Sequence, residues 1–415
     1  MKTNFIAIIL LILVAMTIAA DVINQPVNSW RMQYRKAAIG DVTHPYETGL
    51  SWDYKNGIGI VFGGHLGTFF NQIENEVPDI YNTNMTYAFK FETGTFEKIF
   101  PMDRPPKRCG PKFAYDEGLN LMLAFGGAYH GFFNGYLEPS LNLTTLAEEG
   151  RRSMTVRYQI APWAFDGAAK QWYPLRPLIL QSPSNSPPFY GFNINFAFAK
   201  EYGLSLIVPT FVNRVYSYST YCNQWTLLPL NSSDTEFPPS VNNIITTYDL
   251  KHRKAVLCYG NVAGEKSTWS YDVGTQSWKK LAVDTFPTHG SPVWFKPFSC
   301  ASYDRKHAMH IYLKDDGTET WALSLDSLKW RKLSPDGAPA SGGDLGDGFV
   351  YDPVRNVNIV YSMKGDEIWS YRFDAGTAVR PDAPANLIAT SAADRITLTW
   401  SHPSPAAAKY YVYRS

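Results

Sequence analysis

The 415-residue chain lacks most of the features that announce a chemistry. It holds only four cysteines, Cys109, Cys222, Cys258 and Cys300, with no CxxC pair and no metal-ligand spacing. That leaves no basis for a dithiol redox centre or a zinc finger, and three disulfide pairings stay open. There is no excess of either charge: 38 basic against 37 acidic residues give +1, which is not the electrostatic footprint of a nucleic-acid binder. No charged run marks a disordered tail. GxSxG and HExxH are both missing, so neither a hydrolase nucleophile elbow nor a zincin site can be drawn. No long stretch carries apolar residues at helical spacing, which argues against a helical architecture.

What the chain has is aromatic residues (26 Tyr, 24 Phe and 12 Trp), enough for a large core, together with abundant Gly and Pro for turns. The composition is that of an all-β protein. Residues 1–20, MKTNFIAIILLILVAMTIAA, combine one Lys, an apolar run from Phe5 and small residues before Asp21. The run is short for a bilayer span and fits a secretory signal cleaved after Ala19 or Ala20. The expected localisation is therefore secreted (extracellular, cell surface or periplasmic), with no membrane span after signal removal. Sequons at Asn84, Asn142 and Asn231 would accept glycans in a eukaryotic host.

Two phrases recur. One pairs aromatics nine residues apart across a turn, as in WAFDGAAKQW (Trp163/Trp172), WSYDVGTQSW (Trp269/Trp278) and WALSLDSLKW (Trp321/Trp330), with Tyr87/Phe96 and Tyr216/Trp225 as variants. Each reads as a strand, a tight turn and a second strand. Upstream of each stands an apolar strand that ends in an acid before a turn and another apolar strand. The acids are Asp53, Asp116, Glu201, Asp249, Asp304 and Asp352. An acid in that position accepts hydrogen bonds from turn N–H groups, a structural and not a catalytic role. Together the phrases give four strands per unit and six units. The sixth has Trp369 and YRFDAGT but no fourth strand; NSWRMQ at 28–33 resembles QSWKKL at 276–281 and supplies one, with Trp30 as the absent tryptophan. An N-terminal strand completing the last unit closes a ring and removes its open edges. The expected fold is a closed six-bladed β-propeller.

The doublets Gly63-Gly64 and Gly126-Gly127, the Tyr or Trp that follows and the second Trp resemble kelch repeats over residues 24–379. The close spacing of Asp249, Asp304 and Asp352 agrees with a kelch period of about 50. From Pro381 the composition changes, and residues 381–415 resemble the opening of a fibronectin type III domain, with Pro384 and Leu387 in a first strand, Trp400 ending a second and Tyr410–Tyr413 in a third. Such a sandwich normally takes about 100 residues.

In a four-stranded blade the loops joining strands one to two and three to four lie on one face, and all other connections on the opposite face. Here the first kind are short (YKNG, LKHR, DRKH) and the second kind are long and Pro-rich. Function is expected on the long-loop face. Its two largest insertions share a phrase that places His65, Phe69, Phe70 and Asn71 in the first and His130, Phe132, Phe133 and Asn134 in the second. Paired rings beside an amide suit a sugar or an apolar ligand, against the plainer reading that the rings tuck their own loops down. Arg104 and Arg108 add cations that could clamp an acidic group, beside Arg151, Arg152 and the carboxylates Glu74, Glu76, Asp79, Glu138, Glu148 and Glu149. His44, His65, His130 and His289 share this face without any spacing that enforces a metal site, so no metal and no cofactor are expected.

Three functions follow as expectations. The first is a non-catalytic module binding a glycan or an extracellular protein. The second is a sugar-modifying enzyme, since the resemblance extends to galactose oxidase, a copper radical enzyme, and to cofactor-free mutarotases on six-bladed kelch rings; no residue carries across from either. The third is a structural spacer in a multidomain surface protein.

Overall fold

The computed structural model describes residues 25–35, 45–46, 48–66, 84–91, 93–106, 108, 110–126, 162–175, 178–180, 194–209, 215–229, 236–238, 244–260, 266–283, 300–314, 317–339, 345–362, 367–374, 385–391 and 396–401. Two compact units divide at Phe373/Asp374.

The first unit is a six-bladed β-propeller. It begins with β1 (Ser29–Arg35) and a two-residue β2 (Pro45–Tyr46). Blade one is β3 (Gly49–Asp53), β4 (Ile58–Phe62), β6 (Thr86–Lys90) and β7 (Thr95–Ile99), with β5 (His65–Leu66) pairing β2 beside it. Blade two is β8 (Lys112–Asp116), β9 (Leu121–Phe125), β10 (Trp163–Asp166) and β11 (Gln171–Pro174). Blade three is β13 (Ile194–Ala199), β14 (Leu204–Pro209), β15 (Tyr216–Ser219) and β16 (Gln224–Leu227), with β12 (Leu178–Leu180) added in parallel on its outer edge. Blade four is β17 (Ile244–Asp249), β18 (Lys254–Gly260), β19 (Lys266–Asp272) and β20 (Ser277–Leu281). Blade five is β21 (Cys300–Asp304), β22 (Met309–Leu313), β23 (Thr320–Ser324) and β24 (Lys329–Leu333). The sixth sheet holds β25 (Leu345–Asp352), β26 (Val357–Ser362) and β27 (Glu367–Arg372), and its fourth strand is β1, antiparallel to β27 with Trp30 opposite Tyr371.

Six apolar layers fill the spaces between successive sheets. Ile60 and Phe62 meet Met122 and Trp172 between blades one and two. Leu123 and Phe125 meet Ile207 and Tyr218 between two and three. Leu206 and Val208 meet Leu257 and Tyr271 next, Val256 and Cys258 meet Tyr312 and Leu323, and Ile311 and Leu313 meet Trp30 and Tyr371. Ile359 and Tyr361 of blade six then meet Trp52 and Phe89 of blade one, so the packing runs around the ring without a gap. Both faces of every sheet are covered. That is why the strands read as apolar on alternate and consecutive positions alike.

The turns explain the recurring acids. Asp53 Oδ1 accepts from Lys55 and Asn56 N–H, Asp116 Oδ1 from Gly118 and Leu119, and Asp352 Oδ1 from Val354 and Arg355. Asp249 and Asp304 accept from His252 and His307 N–H in the same way. Each such turn ends in a left-handed residue, for instance Asn120, Arg253, Ala308 and Asn356, all near φ 55°. Glu201 departs from the pattern: it is exposed within a single 3-10 turn, Lys200–Tyr202, which ends at left-handed Gly203. The expected pairing of aromatics also shifts by two residues. The tryptophan that opens each fourth strand lies opposite the residue two after the first aromatic: Phe165 opposite Trp172, Tyr218 opposite Trp225, Tyr271 opposite Trp278 and Leu323 opposite Trp330. Nine residues is the span between two rings on the hairpin; seven is the span between cross-strand partners.

The second unit, Asp374–Ser415, contains an antiparallel pair, β28 (Ala385–Ser391) and β29 (Ile396–Ser401), with Leu387 on the first and Trp400 on the second. Pro384 and Tyr410–Tyr413 lie outside the described residues.

Candidate functional site

The innermost strand of each blade pairs on one side only, with its own second strand. Its other edge pairs with no further strand among the described residues and faces the ring axis. Along the axis lies a cavity of about 180 Å³, lined by Phe113, Phe198, Thr246, Ala301 and Phe349 on the inner strands of blades two to six. Lys200 and Arg305 are the only charged side chains on its wall among the described residues. The Thr246 hydroxyl is buried, with no hydrogen-bond partner among the described residues.

An ionic cluster occupies the short-turn end of this axis. Glu117, buried at 6% exposure, pairs with both Lys200 and Arg305, and Arg305 also lies over the Tyr54 ring at 5.4 Å. Burial pushes the Glu117 carboxyl upward, but hydrogen bonds and charge from Arg305, then Lys200, outweigh it and hold the group below the ordinary glutamate range. Burial, reinforced by Glu117, raises the Tyr54 phenol to about 12. The cluster joins blades one, two, three and five across the axis.

Around the same end the blades are tied by the aromatic residue that precedes each turn acid. Trp52 Nε1 donates to Asp352 of blade six at 3.1 Å, Tyr115 OH to Asp53 of blade one at 2.7 Å, and Tyr303 OH to Asp249 of blade four at 3.0 Å. The hydroxyls of Tyr351 and Tyr248 lie beside Asp304 and Glu201, the acids of their preceding blades. Only the junction of blade three with blade two differs, and there the Lys200–Glu117 ion pair takes the place of a hydroxyl–carboxylate contact. Between blades four and five the network deepens: His310, 2% exposed, contacts Asp249 Oδ2 at 3.2 Å and Thr247 Oγ1 at 2.6 Å. Burial raises the Asp249 carboxyl, but its contacts with His310 and His252 prevail and set it well below the usual carboxylate range. With these partners the buried acids are braces between blades.

The residues singled out from sequence fall unevenly. Phe69, Phe70, Asn71, His130, Phe132, Phe133 and Asn134 lie outside the described residues, as do His44, His289 and the acidic and basic residues of both insertions. His65 sits on β5 opposite Tyr46. Arg104 is exposed and lies over the Phe100 ring at 5.8 Å, beside Phe100 and Met102, which are exposed at 68% and 94%. Arg108 is 2% exposed. Its Nη1 donates to Gly126 O at 2.8 Å and its Nε to Pro106 O at 3.1 Å, while its own carbonyl accepts from Gly64 N at 2.8 Å. It therefore fixes the roots of both large insertions, and burial lowers its guanidinium to about 10. Trp30 and Trp369 both lie in the sixth sheet, Trp30 buried and Trp369 partly buried with its Nε1 donating to Glu367 at 2.7 Å. Cys222 is an exposed free thiol and Cys258 a buried one. Among the described residues no three His, Cys, Asp or Glu side chains gather as metal ligands, and no helix is long and apolar enough to cross a membrane.

No protein-family model matches the chain, and no curated protein matches it. Among solved structures it is similar to a structural genomics protein of unknown function from Bacteroides thetaiotaomicron VPI-5482, with a TM-score of 0.49 and 9% identity over 84% of this chain and 73% of the other. The class defined by the chain's own sheets and packing is the six-bladed β-propeller.

Proposed function

We propose that the chain is a secreted, non-catalytic binding module: a kelch-like propeller, fastened by its N-terminal strand and linked to a fibronectin type III-like segment, that recognises a glycan on the face carrying its long connections. The observation that supports this is the contrast between the two faces. On one face each blade turns in a few residues, and in blades one, two, four, five and six the first turn is sealed by a buried Asp, with aromatic side chains tying blade to blade. On the other, second and third strands are joined by residues 63–85 in blade one and 126–162 in blade two, with Arg108 bracing the roots of both. A rigid ring with elaborated connections on one side suits recognition of a partner. The aromatic-amide phrases at Phe69-Phe70-Asn71 and Phe132-Phe133-Asn134 offer rings for a sugar face and amides for its hydroxyls.

The test is a glycan array with the mature protein, run with added copper and with EDTA. Binding that is independent of metal and lost on replacing Phe69, Phe70, Phe132 and Phe133 with Ala supports the reading. Binding or oxidation that requires copper would replace it with an enzymatic function, and no glycan binding under any condition would redirect it to a protein partner or a spacer.

A further inference from the structure

We infer that the outer rim of blades four to six is a second recognition surface, a belt of cations that binds a linear acidic polysaccharide. It lies apart from the long-loop face and does not rest on the reading proposed for that face.

The repeat supplies an internal comparison. The outermost strand of each blade carries a ring near its start, and the two positions after that ring are equivalent from blade to blade. In every blade they pair with the first aromatic of the hairpin and the residue after it. In blades one, two and three these positions hold Glu97-Lys98, Tyr173-Pro174 and Thr226-Leu227, which together carry no net charge. In blades four, five and six they hold Lys279-Lys280, Arg331-Lys332 and Arg31-Met32. Lys329, just before the ring of blade five, adds a sixth cation, and these three outer strands contain no acid. Equivalent positions on adjacent blades stand at one height on the rim, so the cations form a belt. Lysine on an edge strand is also a guard against edge-to-edge pairing. The outer strand of blade two, Gln171–Pro174, does without one, so edge protection alone does not account for cations gathered on three neighbouring blades.

Most of this charge is unspent. Glu319 pairs with Lys332 at 2.7 Å and Asp336 with Arg31 at 2.9 Å. Lys279, Lys280, Lys329 and Arg331 are exposed and form no ion pair among the described residues. The acids of the flanking connections, Glu265, Asp284, Asp315 and Asp316, lie outside the described residues. Three of the cations rest against rings: Lys280 over Trp269 at 5.8 Å, Lys332 over Trp321 at 5.9 Å and Arg331 over Phe373 at 5.8 Å. Such support limits the side-chain entropy lost when an anion binds.

The shape and chemistry of the belt select the partner. The whole chain carries only +1, so attraction for a polyanion must come from this local charge. The rim of a ring is convex, and a flexible linear polymer can follow it from blade to blade, where a flat anionic surface would meet few of the cations. The rings of these outer strands, Trp278, Trp330 and Trp30, are buried, so they offer no platform for the base stacking that single-stranded nucleic acids use. Sulfate or carboxylate groups along a polysaccharide meet lysine and arginine through charge-assisted hydrogen bonds alone.

The experiment is titration of the intact mature protein with heparin, hyaluronate, neutral dextran and a single-stranded oligonucleotide at increasing salt. It is repeated on two variants that lose the same charge. One combines Lys279→Gln, Lys280→Gln and Arg331→Gln in the belt; the other combines Lys98→Gln, Arg253→Gln and Lys306→Gln at exposed sites elsewhere. Heparin should bind more tightly than hyaluronate, dextran should not bind, and heparin affinity should fall with salt. The belt variant should weaken heparin binding by roughly tenfold or more and flatten its salt dependence, because fewer counterions are released. The second variant should stay within about twofold of the parent, and both should unfold at the parent's temperature. Replacing Phe69, Phe70, Phe132 and Phe133 with Ala should leave heparin binding unchanged. Equal losses in the two charge variants would overturn the belt, as would heparin binding that is absent or insensitive to salt. Oligonucleotide binding as tight as that of heparin would overturn the choice of partner. Heparin binding lost in the Phe variant but kept in the belt variant would move the polysaccharide to the long-loop face and leave the rim without a role.

Discussion

Blade two and blade six build the same interface by different routes. In blade two the chain runs from β10 through a tight turn into β11, with Asp166 Oδ1 accepting from Ala168 and Ala169 N–H and Lys170 left-handed at φ 53°. Trp172 then packs on Phe165 at 5.0 Å and donates to Thr86 of blade one at 3.0 Å. In blade six the fourth strand comes from the other end of the chain. Yet Trp30 packs on Tyr371 at 5.0 Å and donates to Thr320 of blade five at 3.0 Å. Even the turn survives in half: Asn28, left-handed at φ 52°, stands before Ser29-Trp30 as Lys170 stands before Gln171-Trp172, and its N–H donates to Arg372 O at 2.6 Å.

What the composite blade lacks is the covalent turn, and it carries extra contacts instead. Gln25 Nε2 donates to the carbonyls of Ser29 and Ser370, and Gln33 Nε2 to Ser370 Oγ at 2.7 Å. Arg31 pairs with Asp336 at 2.9 Å, and Trp30 N–H donates to the Asp336 carbonyl at 2.7 Å, so β1 is held on both edges. The comparison teaches that the blade interface is specified by side chains and turn conformation, and the connection only decides how far a strand can depart once it detaches.

The largest effect that sharpens this contrast comes from the paired tryptophans. Trp30→Ala and Trp172→Ala remove equivalent buried rings and should each cost more than ~3 kcal/mol in denaturant unfolding. Trp30→Ala should also raise hydrogen exchange along β27, because β1 has no turn to hold it nearby. Equal protection of β27 and β10 in the two variants would erase the distinction. Next is Gly348→Ala on the inner strand of the composite blade. A Cβ there would fall 2.1 Å from Leu50 Cβ of blade one, so the seam must open, at a cost of ~1–3 kcal/mol or more. Thr320→Val and Thr86→Val should cost ~1 kcal/mol each, since both leave a buried indole N–H without its acceptor; a marked inequality would show that the two interfaces are not equivalent. The smallest effects come from the left-handed turn residues. Asn28→Leu should cost about 1 kcal/mol and Leu328→Asn should gain a few tenths, because Asn tolerates that conformation better than Leu. Both are read from thermal unfolding.

Much of the fold was legible because it repeats. The Asp before each turn, the Trp after it and the Gly doublets mark strand ends by local chemistry, and local chemistry is what a sequence displays. The kinship of NSWRMQ with QSWKKL was visible for the same reason. Blade three is harder to read: Lys200-Glu201-Tyr202 replaces the Tyr-Asp phrase with a 3-10 turn, so Glu201 is exposed there instead of buried in a turn, although it still lies beside the Tyr248 hydroxyl of blade four. The strand Leu178–Leu180 lay hidden in a Pro-rich connection, since a three-residue apolar run has no period of its own. The aromatic before each acid stood in plain view as WD or YD, but its hydrogen bond goes to another blade some fifty residues or more away, and no local pattern reports that partner. The cluster of Glu117, Lys200 and Arg305 has no motif at all, because the ring axis brings together residues from four blades. Arg108 shows the converse: a cation read from sequence as exposed to ligand is buried as a brace.

The most direct test of the composite blade is to remove residues 21–35 and supply a peptide of residues 25–35 during refolding. The account predicts that the truncated chain is strongly destabilised, that the peptide binds and restores cooperative unfolding, and that the same peptide with Trp30→Ala does not. A truncated chain as stable as the whole, or a peptide that restores stability equally well without its tryptophan, would contradict it.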